Sequence, residues 1–145
     1  MNTPGPTELA IELIKKGHST DEIIKESKFP TLGAYLFEFI CKRNISINIA
    51  ADLSDLNKTS LYRILDGKLN PTRDALIRLS RVLEMTYDET QYLLKCGNAA
   101  SLSGTRERDI KIMEGILHNQ QLGDINEELI KSGFSDLSSK RRVKE

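Results

Sequence analysis

Apolar residues recur at intervals of three and four along most of the chain, and an alternation with period two is never sustained. This spacing gathers apolar side chains on one face of an α-helix. The clearest stripe belongs to a core-facing helix that ends near Asn44, and it comprises Leu32, Tyr35, Leu36, Phe39 and Ile40. The pattern predicts an all-α fold.

Polar caps and glycine stops divide the middle of the chain into further short helices. Three side chains have the position of an N-cap, the last of them in a capping box with Glu89: Ser46, Thr72 and Thr86. One helix of this series begins at Thr59 and ends at Gly67, because glycine tolerates the left-handed backbone that terminates many helices. Residues 32–98 are therefore predicted to form a five-helix unit.

Helical segments flank this unit on both sides. Residues 1–31 form a predicted appendage, with a helix over 8–16 and a second one after a Ser19-Glu22 capping box. Residues 99–137 form a predicted extension, with one helix over 106–118 and another that Asp124 and Glu127 cap and Gly133 ends. Residues 138–145 are basic, and we expect them to be a disordered tail.

The composition is that of an ordinary globular protein, with 39% apolar and 29% charged residues in 145. No run of 18 apolar residues occurs, and Met1 to Pro6 lacks the pattern of a signal peptide, so we expect a cytoplasmic protein. Cys41 and Cys96 lie in helical apolar patterns without metal-ligand spacing, which favours free and mostly buried thiols.

The net charge is +0, with 21 basic and 21 acidic residues, which by itself argues mildly against a nucleic-acid-binding protein. The distribution along the chain changes this view. Between Lys42 and Arg81 there are four acidic residues and eight basic ones, namely Lys42, Arg43, Lys58, Arg63, Lys68, Arg73, Arg78 and Arg81. A local basic surplus is therefore predicted on the five-helix unit.

Residues 45–72 contain two short helices, a tight connection and a turn that ends in Asn-Pro, and they resemble the helix-turn-helix of the Cro and lambda-repressor (XRE) family. The resemblance spans residues 32–94. It rests on Ser46 at the start of the first motif helix, on the small Ala51 where the two helices approach, and on the exit from Gly67 to Asn70-Pro71. Residues 92–137 resemble the C-terminal extension of a clostridial-type subgroup of these regulators.

Several positions depart from the family pattern. Asp55 stands where the family often has glycine, and we expect it to adopt the left-handed backbone because Asp tolerates it better than most residues. Ile47 replaces a glutamine that commonly contacts DNA. Ile40 and Leu65 replace a buried Arg–Glu pair, and we expect these two side chains to pack against each other.

The resemblance implies a lambda-repressor-like DNA-binding domain in a transcriptional regulator, a repressor that reads the major groove of double-stranded DNA with the helix from Thr59 to Asp66. The implied base-reading residues are Asn57, Lys58, Thr59, Ser60, Tyr62 and Arg63. The implied phosphate contacts are Ser46, Asn48, Lys68, Asn70, Thr72 and Arg73. Lys42 and Arg43 either contact phosphate as well or only stabilise the C-terminal end of the helix that precedes the motif.

Other classes of function stay open at this stage. No motif for an enzyme, a metal or a cofactor is present, and His18 and His118 lie in different end segments. The alternative is a protein-interaction or antitoxin-like module on the same scaffold. We expect a homodimer with no membrane contact. The extension would form the interface of this homodimer, bind another protein, or pack on the N-terminal helices of its own chain. Its apolar residues are Ile110, Met113, Ile116, Leu117, Ile125, Leu129 and Ile130.

Overall fold

A computed structural model describes residues 31–139 together with Ile11, Lys15 and Gly17. Its contacts divide the chain into two units, Met1–Pro30 and Thr31–Glu145. In the first unit Ile11 and Lys15 are helical, and Gly17 has a φ of 85°. The predicted capping box at residues 19–22, His18 and residues 140–145 lie outside the described residues.

Seven α-helices and no strand occur within residues 31–139, which confirms the all-α prediction for this part of the chain. In chain order they are α1 (Leu32–Arg43), α2 (Ile47–Leu53), α3 (Lys58–Leu65), α4 (Arg73–Val82), α5 (Tyr87–Cys96), α6 (Glu107–Leu117) and α7 (Leu122–Lys131). In the part of the chain that the structure describes, no helix is both long and apolar enough to cross a membrane.

The predicted caps are confirmed for α2, α4 and α5. The side chains of Ser46 and Thr72 each accept the backbone N–H three residues later, and Thr86 forms a reciprocal capping box with Glu89. The start of α3 differs from the prediction, which placed it at Thr59. Asn57 caps the helix, and the helix begins at Lys58.

The expected cap at Asp124 is wrong. Helix α7 begins two residues earlier, after Gln121, and no side chain caps it. Asp124 lies instead in the first turn of α7, where its carboxylate faces the positive end of the helix dipole.

Helix α4 lies in the centre of the described unit. Every residue from Ala75 to Arg81 is buried, and the helix contacts α2, α5 and α7. The same hydrophobic core includes residues of the extension: Leu102, Ile112, Ile116, Ile125, Leu129 and Leu137. Residues 99–137 therefore complete the core around α4.

Helices α1 and α3 approach closely at Gly33. A Cβ atom at this position would collide with the backbone carbonyl of Leu65, so only glycine fits. Ile40 is buried, and Leu65 is half-buried against the core. Direct contact between these two side chains stays a prediction.

Neither cysteine is fully buried. Cys41 is exposed, so the prediction of a mostly buried thiol is wrong there, because the residue lies on the outer side of α1 beyond the apolar stripe. Cys96 is half-buried, and burial raises the pKa of its thiol.

Candidate nucleic-acid interface

The connection between α2 and α3 is tight. Ala50 and Ala51 are fully buried, and the Leu56 N–H donates to the Ala51 carbonyl at 2.9 Å. Asp55 has a φ of 59°, which confirms the left-handed backbone expected there. Its carboxylate also accepts the backbone N–H of Ser139 at 2.9 Å. The turn is thus tied to a segment 84 residues later in the chain.

Helix α3 has one buried side and one exposed side. Leu61 and Ile64 are 0% and 1% exposed and fix the helix to the core. The opposite side, called the outer face of α3 below, consists of the exposed residues Lys58, Thr59, Tyr62 and Arg63. Four of the six residues implied to read bases therefore share one exposed face.

The other two implied base-reading residues, Asn57 and Ser60, lie at the start of α3. The Asn57 side-chain oxygen accepts the Ser60 N–H at 3.2 Å, so this oxygen serves as the cap. Ser60 is half-buried. The side-chain amide N–H₂ group of Asn57 remains the part that suits a base or a phosphate oxygen.

Five of the six implied phosphate contacts are exposed. Ser46 and Thr72 use an oxygen lone pair as a cap, and each hydroxyl keeps a hydrogen to donate. Asn48, Lys68 and Asn70 are exposed. Their side chains supply amide and ammonium donors, which are the groups that bind phosphate oxygens.

Two cavities show which of these residues lie together. Asn48 and Lys58 line a cavity of about 270 Å³ between α2 and α3. Ser60, Asn70 and Thr72 line a second cavity of about 500 Å³, together with Ser138 and Ser139. Asn48 therefore lies beside Lys58 of the outer face, whereas Ser60, Asn70 and Thr72 lie together with the end of the described chain at another side of α3, next to the buried Ile64.

Arg73 is not available for phosphate, which corrects its predicted role. Its guanidinium donates to both carboxylate oxygens of Asp109, at 3.0 and 2.8 Å. It also donates to the carbonyls of Ala100 and Ser101 at 2.8 and 3.1 Å. Four donor positions on one guanidinium are thus used inside the molecule.

Part of the basic surplus between Lys42 and Arg81 is internal. Arg78 and Arg81 are 4% and 7% exposed. The guanidinium of Arg78 donates to the carbonyls of Ser54 and Leu137, and that of Arg81 to the carbonyls of Gln120 and Met85. These arginines bind the extension and the neighbouring loops to α4.

Lys42 and Arg43 also have partners within the chain. Lys42 pairs with Glu38 at 3.4 Å, and Arg43 pairs with Glu84 at 3.3 Å. Of the eight basic residues between Lys42 and Arg81, three are exposed and have no ion pair among the described residues: Lys58, Arg63 and Lys68. The predicted basic surface is therefore reduced to these three cations around α3.

Two identical Arg-Asp dipeptides form reciprocal ion pairs, which the sequence reasoning missed. Arg73 in α4 binds Asp109 in α6, while Asp74 in α4 accepts two bonds from Arg108 in α6 at 3.3 and 3.1 Å. Both dipeptides lie in the first turn of their helices. The repeated Arg-Asp dipeptide is the feature of the sequence that could have indicated these ion pairs. Which residues pair, however, depends on how α6 packs.

The extension presents fewer apolar residues than predicted for an interface. Ile116, Ile125 and Leu129 are buried against the chain's own core, so they are not part of any interface. The exposed fractions are 39% for Ile110, 64% for Leu117 and 61% for Ile130, while Met113 is half-buried. His118 is exposed at the end of α6, and the described residues contain no cluster suited to a metal ion.

Comparison with known proteins adds no assignment. No protein-family model, no curated protein and no solved structure matches the chain. The function is therefore inferred from α2, α3 and the residues around them.

Proposed function

We propose that α2 and α3 form a helix-turn-helix of the Cro and lambda-repressor type within a five-helix unit over α1 to α5. The protein is then a sequence-specific double-stranded DNA-binding regulator, a repressor, without catalytic activity or a cofactor. One observation carries the proposal: the outer face of α3 exposes polar side chains, while Leu61 and Ile64 hold the helix rigidly from behind. A rigid helix with exposed donors fits the major groove.

The side chains of the outer face match the chemistry of base edges. Arg63 and Lys58 donate to the O6 and N7 atoms of guanine, and the methyl group of Thr59 packs on that of thymine. Each good contact of this kind discriminates against the wrong base by about 1–3 kcal/mol. Lys68, Asn70 and Thr72 hold the DNA backbone after α3, and Arg73 leaves this set because it binds Asp109.

The test begins with the selection of bound sequences from a random duplex pool. Affinity for the selected site is then measured for Arg63→Ala and Lys58→Ala, with Lys95→Ala as an exposed control on α5. We expect each α3 variant to lose about 5- to 150-fold in affinity, corresponding to 1–3 kcal/mol, with an unchanged melting temperature. Wild-type affinity in both variants refutes the assignment.

The rival function is a protein-interaction or antitoxin-like module. Residues 31–139 contain 13 basic and 15 acidic residues, and the exposed Ile110, Leu117 and Ile130 suit a protein surface. Binding of the wild-type chain to random duplex at increasing salt separates the two functions. A steep loss of affinity with salt supports phosphate contacts, whereas no affinity at low salt favours the module.

A homodimer belongs to the proposal, because one recognition helix reads few base pairs and paired half-sites extend the recognised sequence. Its candidate surface is the exposed part of the extension, Ile110, Leu117 and Ile130. Light scattering at micromolar concentration tests this directly. A monomer mass would remove the homodimer from the proposal.

A further inference from the structure

We propose that the larger cavity beside α3 binds a small organic molecule with an apolar body and one carboxylate, and that Arg78 donates to this carboxylate. The cavity has a volume of about 500 Å³, which lies within the range of small-molecule sites, and it is called the Arg78 cavity below. The inference goes beyond the proposed function, because no residue of the outer face lines the cavity and its ligand is tested without DNA. The lining of the cavity and the charge of Arg78 both support the proposal.

Most of the surface of the Arg78 cavity is apolar. The turn before α3, the helix itself, and the loop and helix after it supply five apolar residues: Leu56, Ile64, Leu69, Pro71 and Ala75. Ile64 and Ala75 are buried, so the core holds this part of the wall in place. Moving apolar surface of a ligand from water onto such a wall is favourable. The lining therefore suits a ligand with an apolar body.

Arg78 adds a positive charge to this wall. The residue is 4% exposed, and its Nε and Nη1 atoms donate to the carbonyls of Ser54 and Leu137 at 2.6 Å each. Its Nη2 group has no hydrogen-bond partner among the described residues, and no described carboxylate lies within ion-pair distance of the guanidinium. A buried cation without an anion is costly, and burial lowers the pKa of Arg78. An anionic group on the ligand supplies the missing counter-charge.

The neighbouring carboxylates favour a ligand with a single negative charge. Asp74 also lines the Arg78 cavity, where it accepts two bonds from Arg108. The charge of Asp55 reaches Arg78 as well, and its carboxylate accepts the Ser139 N–H at 2.9 Å. These two acidic groups repel a carboxylate less than a phosphate monoester, which carries about two negative charges. The ligand is therefore a carboxylate.

A second cavity that Arg78 lines suits such a ligand less. It has a volume of about 490 Å³, its surface is mostly polar, and the carboxylates of Asp52 and Asp55 both line it. Two acidic groups repel an anion, and a polar wall offers little to an apolar body. Gly123 and Asn126 also line this second cavity, so their signals report on binding there.

The experiment titrates the full chain with three probe carboxylates, phenylacetate, benzoate and hexanoate, and with their neutral amides, while backbone amide NMR signals are recorded. We expect saturable shifts at Ser60, Asn70 and Ala75 with at least one carboxylate. Its amide binds at least about 10-fold more weakly, because it cannot accept a charge-assisted hydrogen bond from Arg78. Equal affinity for the carboxylate and its amide overturns the role of Arg78, and the absence of saturable shifts with all three carboxylates overturns the site.

Two variants locate the binding site. Ser60→Leu fills part of the Arg78 cavity and leaves Arg78 in place, while Ser135→Leu adds the same side chain at an exposed position outside the cavity. We expect Ser60→Leu to bind the probe at least about 10-fold more weakly, because the larger side chain overlaps the ligand, and Ser135→Leu to bind it as the wild type does. Wild-type affinity in Ser60→Leu, or shifts confined to Gly123 and Asn126, overturns the assignment to this cavity.

Discussion

At the scale of single residues, Asp109 shows how an ion pair between α4 and α6 affects the pKa of a buried carboxylate. This carboxylate is 2% exposed and accepts hydrogen bonds from Arg73 and from the Ser103 N–H. Burial by itself raises the pKa of Asp109, but these hydrogen bonds and the charges of Arg73 and Arg106 outweigh burial and lower it. The carboxylate is therefore ionised in the folded chain and depends on Arg73.

Arg73→Ala removes the partner of a buried charge. We expect it to lower the free energy of unfolding by about 3–5 kcal/mol, because the Asp109 carboxylate is left uncompensated. Arg63→Ala, on the exposed face of α3, is the control and changes stability by less than about 0.5 kcal/mol. Urea unfolding measures both, and equal stability of the two variants would contradict the internal role of Arg73.

The same carboxylate gives stability a dependence on pH. A pKa that is lower in the folded state means that the stabilisation is complete well above the unfolded value, which is about 3.9 for Asp. It is lost as the pH falls through that value toward the lower folded pKa. We expect Asp109→Asn to flatten the decrease in unfolding free energy below about pH 5, measured by denaturant titration against pH. A slope equal to that of the wild type would count against this account.

At the scale of elements, local signals predicted the helices and distant contacts escaped prediction. Ser46, Thr72 and Thr86 were found as caps because a cap and its bonding partner lie three residues apart. The outer face of α3 was found because Leu61 and Ile64 define its opposite side. The internal role of Arg78 escaped, since its partner Leu137 lies 59 residues away and a charged side chain is normally a surface residue.

Gly33→Ala tests the contact between α1 and α3. The added Cβ meets the Leu65 carbonyl, which is backbone and cannot move aside as a flexible side chain does. Overpacking of this kind costs about 1–3 kcal/mol, and it displaces α3 from its place on the core. We expect lower thermal stability together with weaker DNA binding. Gly104→Ala is the matched control because its Cβ has no atom within 4 Å, and an equal melting temperature for both variants would refute the close approach.

At the scale of the described unit, the extension and the proposed DNA-binding helices share one core. Arg73, Arg78 and Arg81 all project from α4 and bind residues beyond position 98: Ala100, Ser101, Asp109, Gln120 and Leu137. Leu102, Ile112 and Ile125 add apolar contacts to the same core. The five helices over residues 32–98 therefore leave buried cations and apolar surface uncovered when they stand alone.

Two shortened chains test this dependence. A chain that ends at Asn98 loses Asp109 and Leu137, so Arg73 loses its carboxylate partner and Arg78 loses one of its two carbonyl acceptors, while apolar core surface becomes exposed. We expect no cooperative thermal transition and poor dispersion of amide NMR signals. A chain that ends at Ser139 keeps every described contact, and we expect it to unfold in a cooperative transition. A cooperative transition in the chain ending at Asn98 would show that the five helices fold without the extension.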